Sequence, residues 1–120
     1  MYYFFDSYAI IEIIKNNQNY QKFEEFLVIT NALNIAEVHY FLMEYIGEAE
    51  DDKAIQSLNI NLLDVSKEIA IDASKLRFAN KKLKLSYADC LGYILSKKNN
   101  LIFITGDDAF KNFYYVEFVK

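Results

Sequence analysis

Leu101-Ile102-Phe103-Ile104-Thr105, closed off by Gly106-Asp107-Asp108, predicts a strand buried on both faces that ends in a turn. A strand covered on both faces belongs to a parallel sheet flanked by helices. Immediately upstream, Ser86 can cap a helix running from Tyr87 to about Lys97. That helix is apolar nearly all round and is therefore expected to be buried. Further back, Ser66 caps a helix reaching about Asn80, with Ile69, Ala70, Ala73 and Leu76 turned inward. The basic loop Lys81-Lys82-Leu83-Lys84 joins the two helices.

The opening repeats the pattern. Tyr2 to Phe5 is a short aromatic run that stops at Asp6, and residues 8–17 then read as a helix that frays into polar residues. Residues 20–26 predict a second short helix and Leu27-Val28-Ile29-Thr30 a second strand. From Asn34, apolar residues recur at helical spacing until Gly47, which suits a helix end. Glu48–Asp52 reads as a solvated turn or helix start that continues through residues 53–58. Ile60 to Val65 is a third candidate strand, interrupted by Asn61, and Tyr115 to Val119 a last edge strand. The expectation is one α/β domain over residues 1–120, with a central, mainly parallel sheet of four to five strands in a three-layer α/β/α sandwich.

Composition fits this. At 120 residues, folding buries roughly 65% of the unfolded chain's surface, enough for one core without a staple. A hydrophobic fraction of 53% and a charged fraction of 25% exclude a disordered chain. Cys90 is the only cysteine, so neither an intrachain disulfide nor a multi-cysteine zinc site is available, and a reducing, cytoplasmic setting is expected. The net charge of -4 argues against a general nucleic-acid coat, but not against an enzyme that meets phosphates through a bound metal. No run approaches the ~18 apolar residues of a membrane span. Met1–Asp6 lacks the basic flank of a signal peptide.

In a parallel sheet, ligands bind beyond the carboxyl ends of the strands. Asp6 and Asp107 follow strands directly, and Glu37 and Asp89 lie in first turns of helices that begin at the same edge. Each has an ordinary alternative. Asp6 and Asp107 can cap the turns after them, while Asn34-x-x-Glu37 and Ser86-x-x-Asp89 match capping-box spacing. Together, four carboxylates at one edge penalise one another's ionisation, and a divalent cation relieves that conflict. Oxygen-only ligands point to Mg²⁺ or Mn²⁺. Such a cluster suits phosphoryl chemistry, with Ser7 and Thr105 able to orient water or a carboxylate. His39, on a different side of its helix from Glu37, and Cys90, in the buried helix, read as structural residues.

Other acid-centred α/β designs fit less well. A receiver domain wants an acidic pair after its first strand, and a haloacid-dehalogenase-type phosphatase wants Asp-x-Asp there; this chain has Asp6-Ser7-Tyr8. Four segments in order do match one family. Phe5-Asp6-Ser7-Tyr8-Ala9, Asn34-Ile35-Ala36-Glu37-Val38, Leu85-Ser86-Tyr87-Ala88-Asp89-Cys90-Leu91 and Ile104-Thr105-Gly106-Asp107-Asp108-Ala109-Phe110 resemble the motifs of the PIN-domain ribonucleases. The compact size resembles the toxin component (the VapC type) of toxin–antitoxin pairs. The resemblance implies a Mg²⁺- or Mn²⁺-dependent endoribonuclease acting on RNA, a homodimer, and a small antitoxin that blocks the crevice. It also implies Asp6, Glu37, Asp89 and Asp107 as metal ligands, with Asp108 an alternative to Asp107. Arg77 is the single arginine, fewer than such toxins usually carry.

Lys75, Arg77, Lys81, Lys82 and Lys84 form the densest basic stretch. It is either a path for the RNA backbone, with Lys81, Lys82 and Lys84 as contacts, or a solvated helix face. Tyr87 and Phe110 are candidate stacking surfaces near the proposed site. The rival from another class is a non-catalytic binding or dimerisation module whose acids serve only as helix caps.

Overall fold

The computed structural model describes residues 2–120; Met1 lies outside them. Five short strands form one sheet: β1 (Tyr3–Phe5), β2 (Val28–Thr30), β3 (Ile60–Leu62), β4 (Ile102–Thr105) and β5 (Val116–Phe118). All neighbours pair in parallel, in the order β3-β2-β1-β4-β5. The helices are α1 (Ser7–Ile14), α2 (Ala32–Ile46), α3 (Glu48–Ser57), α4 (Lys67–Ala79) and α5 (Tyr87–Lys98).

Successive strand residues face opposite sides, so each strand feeds two cores. Phe4, Ile29 and Phe103 join Ile69, Ala73, Leu85, Tyr93 and Leu95 from the α4–α5 side. Phe5, Val28 and Ile104 join Ala9, Ile10, Ile13, Val38 and Leu42 from the α1–α2 side. The expected three-layer α/β/α arrangement is present, with β1 and β4 at its centre. β1, α4, α5 and β4 lie close to their expected limits, and Ser66 and Ser86 cap as expected, accepting from the Ile69 and Asp89 amides.

Several expectations are corrected. Residues 20–26 do not form an α-helix; Gln18–Phe23 winds as a 3-10 turn. Glu48–Ser57 forms a helix, the second of the two readings of that stretch, but Asp51 within it is buried and not solvated. Ile60–Val65 shortens to Ile60–Leu62, an edge strand whose last two residues are exposed. Ala70 is exposed because the inward stripe of α4 follows Ile69, Ala73 and Leu76.

Gly92 lets α5 sit directly on the sheet. A Cβ there would stand 2.7 Å from the Phe4 ring and 3.2 Å from Phe103, and these two rings are fully buried and stacked on each other. Gly92→Ala should therefore destabilise by about 1–2 kcal/mol, the cost of overpacking less the gain in helix propensity. The check is a lower urea midpoint at unchanged m.

Candidate active site

From β1 the chain spreads one way through β2 and β3, then returns to place β4 on the other side of β1. The connections diverge between β1 and β4, so their carboxyl ends flank a crevice, the place where such sheets bind ligands. Asp6 leaves β1 into that crevice, and Gly106-Asp107 leaves β4 into it.

Asp6 is 2% exposed, yet it occupies the N-cap position of α1 without making a side-chain cap bond. Its carboxylate looks across the fold instead. Thr105 Oγ1 donates to Oδ2 at 2.7 Å, and Asn34 Nδ2 approaches Oδ1 at 3.5 Å. Burial, and then the charges of Asp89 and Asp107, push the Asp6 pKa up to about 7, against the opposing bonds from Thr105 and the Ser7 amide. The expected cap is absent at this acid.

Asp89 is in part a cap. Its Oδ2 accepts from the Ser86 amide at 2.8 Å, while Ser86 Oγ accepts from the Asp89 amide, completing a capping box. Burial and the charges of Asp107 and Glu37 nevertheless raise its pKa, outweighing the Ser86 bonds. Asp107 likewise caps, Oδ1 accepting from the Ala109 amide at 3.0 Å; its own amide donates to Thr105 Oγ1. Thr105 thus ties Asp6 to the Asp107 turn.

Glu37 differs from expectation in detail. The Asn34–Glu37 capping box does not form, because α2 begins earlier and Asn31 is its cap, accepting from the Asn34 amide. Asn34 is left free to turn its amide toward β1, donating to Ser7 Oγ at 2.9 Å; Ser7 Oγ donates onward to Glu37 Oε1 at 2.7 Å. Glu37 is exposed and stands at the rim.

A cleft of about 410 Å³ opens over these groups, lined by Asp6, Ser7, Tyr8, Asp89, Asp107, Asp108 and Lys120. Three of the four expected acids share its wall; Glu37 is coupled to it through Ser7 and through its charge on Asp89. Asp108 points to solvent and pairs with Lys120 at 3.1 Å. Of the two adjacent acids, Asp107 is the one whose charge acts on Asp6.

Among the described residues, no three His, Cys, Asp or Glu side chains form a ready-made metal cage. The donor set still suits one kind of ion. Every donor is an oxygen, Asn34 Oδ1 is buried without a hydrogen-bond partner, and Asp6 carries an unfavourable buried charge. Mg²⁺ normally keeps several waters and takes only one or two carboxylates directly. The residues fit a hydrated hard cation, not a closed site.

His39 is turned away from this cluster toward Asp51 and Asp52 of α3, at 3.3 and 2.8 Å. Cys90 is buried, and burial pushes its thiol up to about 11, which leaves it inert at neutral pH. Phe110 is fully buried among Tyr93, Phe103 and Phe113, so it offers no base-stacking surface; Tyr87 is 53% exposed and does. Sequence reasoning missed Asn34 and Lys120 as members of the site. A polar side chain in the first turn of α2, already assigned a capping role, carries no sign that it will be buried.

The fold and the acid-lined switch point define an α/β domain built to present carboxylates to a ligand at one sheet edge. The PIN-domain family model matches residues 3–115, and the chain belongs to that family. Its fold is similar to VapC20 of Mycobacterium tuberculosis, a sarcin-ricin-loop-cleaving toxin (TM-score 0.80, 13% identity, 98% of each chain covered). It is also similar to a chain of VapBC2 from Rickettsia felis, solved bound to a DNA fragment from its promoter (0.76, 16% identity, 100% of each chain). A toxin–antitoxin complex from Klebsiella pneumoniae gives 0.71 at 18% identity, over 96% of this chain and 95% of that one. No curated protein matches it by sequence.

Because Asp6 titrates near 7 when folded and near 4 when unfolded, its contribution to stability is complete below about pH 4 and is lost as pH rises through 7. The loss is on the order of 4 kcal/mol. Urea midpoints of the metal-free protein should fall between about pH 4 and about pH 8. Asp6→Asn keeps an acceptor for Thr105 but carries no charge, so it should flatten most of that slope and exceed the wild type in stability at the alkaline end. An unchanged slope would place the titration elsewhere.

Proposed function

We propose that this protein is a Mg²⁺- or Mn²⁺-dependent endoribonuclease that hydrolyses RNA phosphodiester bonds, the toxin of a toxin–antitoxin pair acting in the cytoplasm. The observation that carries the reading is Asp6: a fully buried carboxylate at the switch point, braced by Thr105 and opposed by the charges of Asp89 and Asp107. Such an arrangement costs stability and has no capping role to offset it. The similar fold of a toxin that cleaves the sarcin-ricin loop supports an RNA substrate. The toxin–antitoxin complexes among the similar structures support a small antitoxin partner.

Asp6 would hold the cation, with Asp89, Asp107 and Glu37 completing the shell directly or through water. A cation held there would supply neutralisation of the phosphate, activation of water and stabilisation of the departing oxygen. Thr105 fixes the Asp6 carboxylate, and Ser7, held by Asn34, fixes Glu37. Water is the nucleophile, and no covalent enzyme intermediate forms. A homodimer, as the family resemblance implies, completes the proposed assembly.

A non-catalytic module whose acids are only caps draws support from Asp89 and Asp107, which do cap. It leaves Asp6 and Glu37 unexplained. Melting temperatures separate the readings. Mn²⁺ should raise the melting temperature above neutral pH, and much less below about pH 5, where Asp6 holds its proton; pure caps predict no effect of metal.

Activity is tested on single-stranded RNA with Mg²⁺ or Mn²⁺. Cleavage should disappear with chelator and fall by at least ~100-fold in Asp6→Asn, the scale of losing a principal catalytic group. At limiting metal the wild-type rate should rise with pH through about 7 as Asp6 ionises, and saturating metal should move that rise to lower pH. Equal cleavage in every arm would identify a contaminating nuclease and sink the proposal.

A further inference from the structure

A second cleft, of about 360 Å³, lies at the turn joining α4 to α5, lined by Arg77, Phe78, Lys81, Lys84 and Tyr87. The two helices run antiparallel, as the Asp72–Lys98 pair at their opposite end shows. The turn therefore sits at the end where α5 begins, the end that carries Asp89. None of Arg77, Lys81, Lys82 and Lys84 pairs with a carboxylate among the described residues, in a chain whose net charge is -4. Two of them rest on aromatic rings instead. The Arg77 guanidinium lies 4.5 Å from the Tyr87 ring centre, and Lys81 Nζ lies 4.2 Å from that of Phe78.

Phe78 is 71% and Tyr87 53% exposed. Here two exposed rings stand beside cations that no carboxylate neutralises among the described residues. Arg77 is held in place: its Nε donates to the Leu85 carbonyl at 2.9 Å, and its guanidinium lies over Tyr87 at the wall of the cleft. Lys84 sits in the left-handed region (φ 55°), at the corner from which the chain turns into α5. Rings that accept a flat π-system, beside cations that accept a phosphate, are the two halves of a nucleotide.

We infer that this cleft is a nucleotide subsite: a base of single-stranded RNA stacks on Phe78, and Lys81, Lys84 and Arg77 hold the adjoining phosphate. Lys81 gives up the Phe78 ring to the base and turns its ammonium to the phosphate. The polymer's identity as RNA rests on the ribonuclease reading. The subsite would hold a strand a short distance from the acids, which themselves repel the backbone. Base stacking of this kind is sequence-tolerant, so it supplies affinity and register rather than a code.

The test measures binding of a fluorescent oligouridylate, and of an abasic oligomer of equal length, by anisotropy with chelator present so that nothing is cut. Lys81→Gln/Lys84→Gln should weaken both probes and reduce the slope of log affinity against log salt by roughly 0.7 per lysine. Phe78→Leu should weaken the oligouridylate roughly 5- to 100-fold and leave the abasic oligomer unaffected. Both positions are exposed, and circular dichroism checks that the variants fold. Absence of wild-type binding, or an unchanged affinity and salt slope in the lysine variant, overturns the subsite. So does equal loss of both probes in Phe78→Leu, which would reduce it to a patch for any polyanion. Failure of the nuclease reading looks different: cleavage is absent or independent of Asp6, while these binding differences persist.

Discussion

A carboxylate almost wholly withdrawn from water stands at the carboxyl end of this protein's central strand. Asp6 ends the middle strand of the sheet, and the layers that make β1 a good core strand remove the solvent its side chain needs. Two neighbours partly replace that solvent, Thr105 from β4 and Asn34 from α2, and neither is charged. The nearest full charges are acids. The fold holds the group in place and leaves it electrically unsatisfied, a combination that favours a proton at low pH and a cation at high pH. Thr30, Thr105, Asn31 and Asn34 are buried around the same edge, so a polar seam runs through an otherwise aromatic interior.

The carboxyl-terminal strand closes the seam from the other side. Gly106 allows it, because a Cβ there would collide with the Tyr8 ring and the Val119 carbonyl. Val119 donates its amide to the Thr105 carbonyl, Tyr20 Oη donates to the Val119 carbonyl, and Asn19 holds the Lys120 carbonyl. Lys120 is thereby delivered to the acid cleft, where its ammonium pairs with Asp108 and lowers the local negative potential without reaching Asp6.

Much of this was legible. Leu101–Thr105 announced the buried strand, the Ser86 helix announced the layer above it, and four acids at strand ends or helix starts marked the edge. The motifs that resemble the PIN family fell on those same acids. What was not legible depended on rotamers and on small shifts of element boundaries. Asn34-x-x-Glu37 has capping-box spacing, but the Asn31 cap three residues earlier takes that role and releases the Asn34 side chain for Ser7 and Asp6. Phe110 follows the last acid closely enough to suggest a stacking platform, but the 3-10 turn at Asp108–Phe110 rolls it into the core. Lys120 reaches the site only through pairing of β5, which no local pattern encodes. The acids at 48–52 read as a solvated turn or helix start; the helix start is what forms, but it carries Asp51 inward against His39 instead of leaving it solvated.

The proposed function asks a net-acidic chain to accept a polyanionic substrate, and the charge arrangement suits that demand. One uniform basic surface would serve binding but would neutralise the acids proposed to hold a metal. One uniform acidic surface would hold the metal but repel the strand. Here the two are separated along the start of α5. Asp89 lines the acid cleft and is fixed by Ser86, whereas the Leu85 carbonyl and the Tyr87 ring, interleaved with them, hold Arg77 at the basic cleft. A single capped helix start therefore borders both clefts. The capping box, the plainest alternative to a catalytic role for Asp89, is then the device that fixes the spacing between them.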